Sequence, residues 1–465
     1  MGRAFWRAVT ETTPIVKTDL RKKLLNGTAE HHLPGLEWCR ILAQQSFRVK
    51  LFIIHPATVT WLFAGLCLGR GEDRGTSLAI QKSEPVKNAS GYEVSNEDGK
   101  LLPLFSAAAY HAEFRYLRRV FHKTNLAGPG VLTDGWNKNI PEAEWPFLGF
   151  CYLGYASASL AKFDPPFRDE ALSEMRWLIG ALQTPRMTGF MSSHFGEPFS
   201  GERINASAFV HGHFLNLAVR YREVSGDKRY DALIHRVAEA LSEAYSKTDQ
   251  GILKSYKDMW WTTDNFPALS ALSRYDRIFG RSLAGVNSSF LKSLKAYYLD
   301  SITGMYCTYI DPPSRRQLQG PRGVSQMYGL HFLKDFDAAF ATQQYEQARK
   351  HLIRPVLGLA AVREFPEGVK ENPDVDSGPV LFGFGPSASG FGIAAAAING
   401  DEATAWQLAK ASAVVGGPVL NNGELRYTMM PPVGQAVILF GKTCLMEFAG
   451  QKPTNDSHAV VERNQ

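Results

Sequence analysis

The sequence lacks the residue clusters that mark several large classes of protein. It contains no CxxC pair and no Cys/His group with zinc spacing, so neither a disulfide framework nor a structural metal site is predicted. The net charge of +6 is small for 465 residues, and the Lys and Arg residues are spread along the chain, which excludes nucleic acid as the expected partner. The HExxH, GxSxG and EF-hand patterns are also absent. No visible motif requires a metal ion or another cofactor.

The composition is that of a folded globular protein. Hydrophobic residues make up 45% of the chain, aromatic residues 12% and charged residues 21%. Disordered chains have fewer apolar and aromatic residues than this. The length is sufficient for one large domain with a sizeable core.

The N-terminal part contains an uncharged apolar run, LFIIHPATVTWLFAGLCLG, at 51–69. Its 19 residues are just enough to cross a bilayer as a helix. Residues 1–50 hold nine Lys/Arg against four Asp/Glu, which would leave the N-terminus cytoplasmic and the main body outside. Pro56 and the polar residues of the run fit equally a kinked helix of a soluble protein. We therefore predict an N-terminal helical extension over 1–100, ending in a polar linker, and leave open whether it anchors the protein to a membrane.

Apolar helical stretches alternate with tight polar turns from about residue 104 onward. The turns lie near Asp164, Gly226, Gly280, Asp335 and Gly400. Their spacing is about 50 to 65 residues, and Gly and Asp are residues that end and begin helices. A fixed period of paired helices indicates a closed or stacked array. About six hairpins predict an all-α (α/α)6 toroid over 101–450, followed by a disordered tail over 451–465.

The connections between hairpins are longer and carry most of the polar and aromatic residues. They include GFMSSHFGEPFSGERINAS, GILKSYKDMWWTTDN, GMYCTYIDPPSRRQLQGPRG and FPEGVKENPDVDSGP. Short alternating segments in these loops predict β-hairpins at one mouth of the toroid, before the inner helices. The small residues of GPSASGFGIAAAAI, at 385–398, favour close packing of an inner helix against its neighbours.

Three helical stretches resemble a known family. FLGFCYLGYASASLAKFDP, VHGHFLNLAVRYREVSGDKRYD and DNFPALSALSRYDRIFG resemble helices of the linalool dehydratase/isomerase family, an (α/α)6 barrel that acts on a small tertiary terpene alcohol. The resemblance runs over much of 145–448 and is strongest over 205–311. It places the family's active-site histidine on His213 and its two active-site cysteines near Ser255 and Asp264. Because neither position is Cys here, we expect acid/base chemistry from a carboxylate, with Ser255 binding substrate.

The stretch SYKDMWWTTDN combines carboxylates and large rings just before an apolar helical pattern. Asp264 is predicted to be a catalytic acid or base at the start of an inner helix, with Asp258, Trp260 and Trp261 shaping the substrate pocket. Burial against rings raises a carboxyl pKa, as a general acid requires. The simpler interpretation is that Asp264 only caps its helix. His213 is the second predicted catalytic residue, and its simpler interpretation is a buried core histidine.

Two other mouth loops contain further candidates. Asp376 is predicted to be catalytic, across the cavity from Asp264, because glycosidase chemistry uses two carboxylates on opposite sides of the substrate. Glu364, Tyr309 and Arg322 are predicted to bind substrate, since Tyr and Arg can hold a hydroxyl or a carboxylate. The alternatives are a solvated loop in which Asp376 caps the next helix, and an ordinary ordered loop around Tyr309 and Arg322.

Three functions are consistent with these residues. The favoured one is a lyase or isomerase of the linalool dehydratase/isomerase type, acting by acid/base chemistry on a small hydroxylated substrate. The second is a carbohydrate-active six-hairpin enzyme: a glycoside hydrolase, lyase or epimerase. The third is a membrane-tethered, non-catalytic binding protein. The expected partner is a small molecule, either a terpene-like alcohol or a sugar, and a homo-oligomer is compatible with the sequence.

Overall fold

The computed structural model describes residues 92–95, 101–127, 144–199, 204–256 and 258–451. The apolar run at 51–69 and nearly all of the predicted tail lie outside these residues. Among the helices that are described, none is both long enough and apolar enough to cross a membrane.

Thirteen helices account for most of the described residues. In chain order they are α1 (Ala107–Ala127), α2 (Glu144–Phe163), α3 (Arg168–Leu182), α4 (Pro185–Phe195), α5 (Ala208–Ser225), α6 (Asp231–Ser246), α7 (Asn265–Phe279), α8 (Asn287–Tyr297), α9 (Gly323–Leu333), α10 (Ala338–His351), α11 (Pro386–Ile398), α12 (Glu402–Gly416) and α13 (Pro432–Gln451). Three-residue or four-residue 3-10 turns precede α3, α7, α8 and α11.

Six of these helices form a closed inner ring. α2 packs on α5, α5 on α7, α7 on α9, α9 on α11, α11 on α13, and α13 again on α2. The helices between them in sequence lie outside this ring, with α3 on α2, α6 on α5 and α12 on α11. The predicted (α/α)6 toroid is confirmed.

The burial of each helix follows from its place in the ring. Every residue of α9 is buried, because an inner helix has neighbours on all sides. The outer helix α6 buries a single stripe at helical spacing, consisting of Ile234, Val237, Ala238, Leu241 and Tyr245. The two patterns are the sequence signature of inner and outer helices.

The predicted tight turns each join an inner helix to the next outer helix. α5 ends at Gly226 and α7 at Gly280, with φ of 71° and 63°. These are left-handed conformations that glycine adopts without the steric cost of a Cβ. Asp335 lies between α9 and α10, and Gly400 between α11 and α12. All long connections therefore lead into inner helices, and their side chains collect at one mouth.

Nine short strands are described, in four small sheets. They are β1 (Glu93–Ser95), β2 (Leu101–Pro103), β3 (Trp260–Trp261), β4 (Tyr309–Asp311), β5 (Arg316–Gln319), β6 (Ile353–Val356), β7 (Leu359–Val362), β8 (Pro418–Asn421) and β9 (Glu424–Tyr427). The antiparallel pairs β4–β5, β6–β7 and β8–β9 precede α9, α11 and α13, which confirms the predicted mouth hairpins.

Two segments differ from the sequence prediction. GFMSSHF, predicted as part of an irregular loop, belongs to helix α4, whose first residue is Pro185. Proline at a first helical position is favourable because its missing N–H has no partner to lose there. Strand β1 falls in the predicted linker, where it pairs with β2 and contacts β8.

Aromatic side chains fill the middle of the ring. The Tyr152 ring lies 5.4 Å from Phe391 and 5.6 Å from Phe440, centroid to centroid. The Tyr155 ring lies 6.0 Å from Phe332. These rings come from α2, α9, α11 and α13, so side chains from opposite parts of the ring meet at its axis.

Close packing between α5 and α7 depends on Gly212. A Cβ at this position would lie 2.8 Å from the Ala268 backbone nitrogen and 2.9 Å from its Cβ. We expect Gly212→Ala to lower the free energy of unfolding by about 1–3 kcal/mol, because the two helix backbones must separate. Gly180→Ala is the matched control, because it also replaces a helical glycine by alanine but its Cβ meets no atom within 4 Å. Urea unfolding followed by circular dichroism measures both, and equal effects would contradict the role of Gly212.

Candidate active site

Asp264 lies at the end of the 3-10 turn Thr262–Asp264, immediately before α7. Its side chain makes no capping hydrogen bond, so the simpler interpretation as a helix cap is wrong. The neighbouring Asn265 makes the local contacts instead: its Oδ1 accepts from the Leu253 N–H at 2.9 Å, and its Nδ2 donates to the Trp261 carbonyl at 3.2 Å. At the start of α7 the local side-chain hydrogen bonds are therefore made by Asn265 and not by Asp264.

The environment of Asp264 favours its protonated form. Burial raises the pKa of this carboxyl from 3.8 to about 7, a hydrogen bond from Ser255 opposes the rise, and the charge of Glu144 adds to it. Ser255 is buried, and its Oγ accepts from the Trp261 N–H at 3.1 Å, which leaves the hydroxyl hydrogen for Asp264. Asp264 can therefore hold or release a proton near neutral pH.

Asp376 comes from a different loop, between β7 and α11, and lies in the 3-10 turn Val375–Ser377. Burial and the charge of Asp374 raise its pKa to about 8, against the opposing charge of Arg322. The charges of Glu144 and Asp264 raise it further, so the Asp376 carboxyl lies within electrostatic range of both. The residue that caps this turn is Asp374, which accepts from the Asp376 N–H at 2.9 Å, and not Asp376 itself.

Glu144, the first residue of α2, completes this group of acids. The Tyr256 hydroxyl donates a hydrogen bond to its Oε1. Burial raises the pKa of Glu144, while the bond from Tyr256 opposes the rise. The pKa of Tyr256 is raised well above its ordinary value by burial and by the charges of Glu144 and Asp264, so the phenol stays protonated. We call Glu144, Asp264 and Asp376 the carboxyl cluster.

Sequence reasoning missed both Glu144 and Tyr256. Tyr256 lies inside the aromatic and acidic stretch that drew attention to Asp264. Glu144 is an acid at the start of an inner helix, the same kind of position that Asp264 occupies before α7. Acids just before or at the start of an inner helix would therefore have indicated Glu144 as well as Asp264, whereas Tyr256 has no such signal.

His213 is fully buried below the carboxyl cluster. Its Nδ1 lies 2.9 Å from the Tyr155 hydroxyl and its Nε2 lies 2.6 Å from the Tyr328 hydroxyl. Burial and the nearby His331 lower its pKa to about 3, so the imidazole is neutral at all ordinary pH values. His213 itself has no exposed surface, whereas its partner Tyr328 is 7% exposed.

The predicted aromatic residues form part of the mouth wall. The Trp261 ring stacks on Tyr309 with a centroid distance of 5.5 Å and an interplanar angle of 28°, because β3 pairs with β4 at these two residues. Trp260 is half-buried, with the Lys254 ammonium 5.1 Å from its ring. Asp258 lies apart from them, since it is 75% exposed and forms an ion pair with Lys254.

Arg322 and Glu364, both predicted to bind substrate, are buried in the structure. Their side chains are 1% and 0% exposed, and they bind each other at 2.9 Å. Arg322 also forms a two-pronged ion pair with Asp374 and donates to Ser377 at 2.9 Å. Its donors therefore hold the loop that carries Asp376, and the contact of these two residues with substrate stays a prediction.

No metal site accompanies the cluster in the described part of the chain. No group of three or more His, Cys, Asp or Glu there is arranged to hold a metal ion.

Comparison with known proteins gives similarity in structure without similarity in sequence. No protein-family model and no curated protein sequence matches the chain. Solved structures similar to it include an α-1,6-mannanase of glycoside hydrolase family 76 from a Salegentibacter species, with 10% identity over 72% of this chain and 99% of the mannanase, at a TM-score of 0.47. Others are a family 105 glycoside hydrolase from C. acetobutylicum (12% identity, 72% and 99% covered, TM-score 0.43) and an unsaturated glucuronyl hydrolase specific for heparin (14%, 72% and 98%, 0.46).

Those proteins are carbohydrate-active enzymes with nearly their whole length covered. Linalool dehydratase/isomerase is not among these three. Identities of 10–14% leave the reaction and substrate of this chain to be argued from its own site.

Proposed function

We propose that the chain is a carbohydrate-active enzyme that cleaves a neutral glycan by acid/base catalysis at the mouth of the toroid. The observation that carries the proposal is the pairing of Asp264 and Asp376. They come from separate loops, have pKa values raised to about 7 and about 8, and the charge of Asp264 contributes to the raised pKa of Asp376. Near neutral pH such a pair provides one protonated acid and one ionised base, the two groups that glycoside hydrolysis requires.

The higher pKa of Asp376 makes it the acid in this scheme. Its proton goes to the glycosidic oxygen as the C–O bond breaks, and Asp264 assists the attack of water or attacks the sugar itself. Glu144, hydrogen-bonded by Tyr256, adds negative charge that stabilises the positive charge developing on the sugar ring.

The surroundings favour a neutral sugar. The stacked Trp261 and Tyr309 rings offer a flat apolar surface of the kind on which a sugar face packs. The carboxyl cluster repels an acidic sugar, and Arg322, a candidate to pair with a uronate, is already bound to Glu364 and Asp374. A uronate is therefore a poorer fit than a neutral hexose.

A second candidate function is dehydration or isomerisation of a small alcohol, as the family resemblance implies. Its support is that the three positions carried over from that family lie on neighbouring elements. Ser255 forms a hydrogen bond with Asp264. Two helices pack on the Thr262–Asp264 turn: α5, which carries His213, and α9, which carries Tyr328. In this reaction a protonated carboxyl would release the hydroxyl as water, and a carboxylate would remove a proton from the adjacent carbon.

The test is a substrate panel with the full chain. It contains neutral oligosaccharides, uronate-containing oligosaccharides and small tertiary allylic alcohols, read out by reducing ends, unsaturated uronate products and gas chromatography. We expect new reducing ends from neutral oligosaccharides only. Turnover of the alcohols alone would establish the second candidate, and uronate cleavage would remove the argument from charge. Binding of a glycan without turnover of any compound would leave the non-catalytic alternative.

A further inference from the structure

The hydrogen bonds around His213 have a direction that the geometry determines. The Tyr155 hydroxyl lies 2.9 Å from Nδ1 of His213 and also 3.2 Å from the His213 carbonyl oxygen. A carbonyl can only accept, so the contact with it uses the single hydroxyl hydrogen of Tyr155. The Tyr155 oxygen then accepts from Nδ1–H. In this arrangement both contacts of the Tyr155 hydroxyl are hydrogen bonds. If Tyr155 donated to Nδ1 instead, its contact with the His213 carbonyl would have no hydrogen.

This direction determines the state of the second ring nitrogen. A neutral imidazole carries one hydrogen, and with that hydrogen on Nδ1 the Nε2 is a bare acceptor. Tyr328 lies 2.6 Å from Nε2 and therefore donates its hydroxyl hydrogen to His213. The Tyr328 oxygen is left with lone pairs only, and toward the mouth it can accept a hydrogen bond but cannot donate one.

Tyr328 is the member of this chain of groups that has exposed surface and lies near Asp264. It is 7% exposed, whereas Tyr155 and His213 are 0% exposed. Helix α9, which carries Tyr328, packs on the Thr262–Asp264 turn. The charge of Asp264 also contributes to the raised pKa of Tyr328, after the larger effect of burial, which places the phenol within electrostatic range of the carboxyl cluster.

We propose that Tyr328 is a substrate-binding residue that accepts a hydrogen bond from a substrate hydroxyl group, and that His213 is the positioning residue that holds the Tyr328 hydrogen away from the mouth. The inference rests on the proposed function only for the identity of the hydroxylated ligand. It reassigns His213 from direct catalysis to an action through Tyr328. It also selects ligands, because an ether or a fluoro group in place of the recognised hydroxyl has no hydrogen to donate.

The first test is nitrogen NMR of the full chain with ¹⁵N-labelled histidine, the His213 signals being assigned by their loss in His213→Gln. We expect the neutral tautomer with hydrogen on Nδ1, unchanged between about pH 5 and pH 9 because burial keeps the ring uncharged. Hydrogen on Nε2 would overturn the proposal, since Tyr328 would then be free to donate. Addition of glycerol, a small hydroxyl donor, should shift the Nε2 signal in the wild type and not in Tyr328→Phe. No shift in either would also overturn it.

The second test compares two buried tyrosines by kinetics on the panel substrate. Tyr328→Phe should raise KM about tenfold, the factor that corresponds to loss of one hydrogen bond of roughly 1.4 kcal/mol. Tyr152→Phe is the matched control: its hydroxyl faces His331 at 3.2 Å, it is 0% exposed, and it makes no contact with a ring nitrogen of His213. We expect little change in its KM. Equal changes of KM in the two variants would contradict the proposal and leave Tyr328 with a packing role. If no panel compound is turned over, the proposed function is wrong, and the NMR experiment alone tests the role of Tyr328.

Discussion

Asp264→Asn is expected to lower kcat/KM for the panel substrate by about 10²–10⁴-fold, the range over which a positioned acid or base contributes. Asparagine keeps the size and the contact with Ser255 but cannot exchange a proton. Asp258→Asn is the matched control, because Asp258 is 75% exposed and forms a surface ion pair with Lys254, and the activity of this variant should stay at the wild-type level. A similar loss from both variants would contradict the assignment of the carboxyl cluster.

The pH dependence of stability provides a separate measurement on the same variant. The pKa of Asp264 is raised in the folded state, so the folded protein binds this proton more tightly than the unfolded chain does. Its stabilising contribution is complete below about pH 4 and is lost as pH rises to about 7. Asp264→Asn, which imitates the protonated form, should therefore match the wild type near pH 4. Above pH 7 it should be more stable by at least about 1.4 kcal/mol, the equivalent of one pKa unit.

Urea unfolding at a series of pH values distinguishes loss of chemistry from loss of fold. A variant that is inactive but more stable than the wild type at high pH has lost a catalytic group. A variant that is less stable at every pH would show that the carboxylate supports the structure. The wild-type rate itself should follow a bell-shaped pH profile, with its two limbs near pH 7 and pH 8.

Arg322→Met is expected to lower the free energy of unfolding by about 3–5 kcal/mol. Removal of the guanidinium leaves Glu364 buried without its partner and releases Asp374 from the 3-10 turn that carries Asp376. Arg119→Met is the matched control, because Arg119 pairs with Glu424 at an exposed site, where such a pair contributes at most about 1 kcal/mol. Denaturant unfolding measures both, and equal losses would show that the Arg322 network is no stronger than a surface ion pair.

A triple variant tests the physical reason for this loss. Arg322→Met combined with Glu364→Gln and Asp374→Asn removes the two carboxylates that the first substitution leaves unpaired. We expect it to recover part of the lost stability, because the cost of the single change comes from uncompensated buried charge. Activity should stay low, since the loop that carries Asp376 has lost its ionic anchor.

The hairpin organisation is readable from the chain because its signals are local. Gly226 and Gly280 end helices in left-handed conformations, which glycine adopts easily because it has no Cβ. The stripes of apolar residues are recognised from helical spacing alone. The repeat of such units predicts how many hairpins exist and which connections are long. Asp264 and Asp376 are predictable in the same way, since both lie in long connections that lead into inner helices.

Other features depend on contacts between distant parts of the chain. Arg322 looks like a ligand-binding arginine in sequence, yet it is buried because Glu364 and Asp374, 42 and 52 residues away, bind it. Glu144 joins the site only because ring closure brings the start of α2 beside a loop 112 residues later, where Tyr256 lies.

The pKa values of Asp264 and Asp376 also depend on contacts between distant parts of the chain. A carboxyl pKa reports the dielectric and the charges around it, and for Asp264 and Asp376 these come from four different connections and helices of the closed ring. Helices, turns and candidate acids can therefore be predicted from short stretches of sequence. The burial of these acids, their partners and their pKa values are determined only by the closed ring, which brings distant residues together and removes the carboxyls from water.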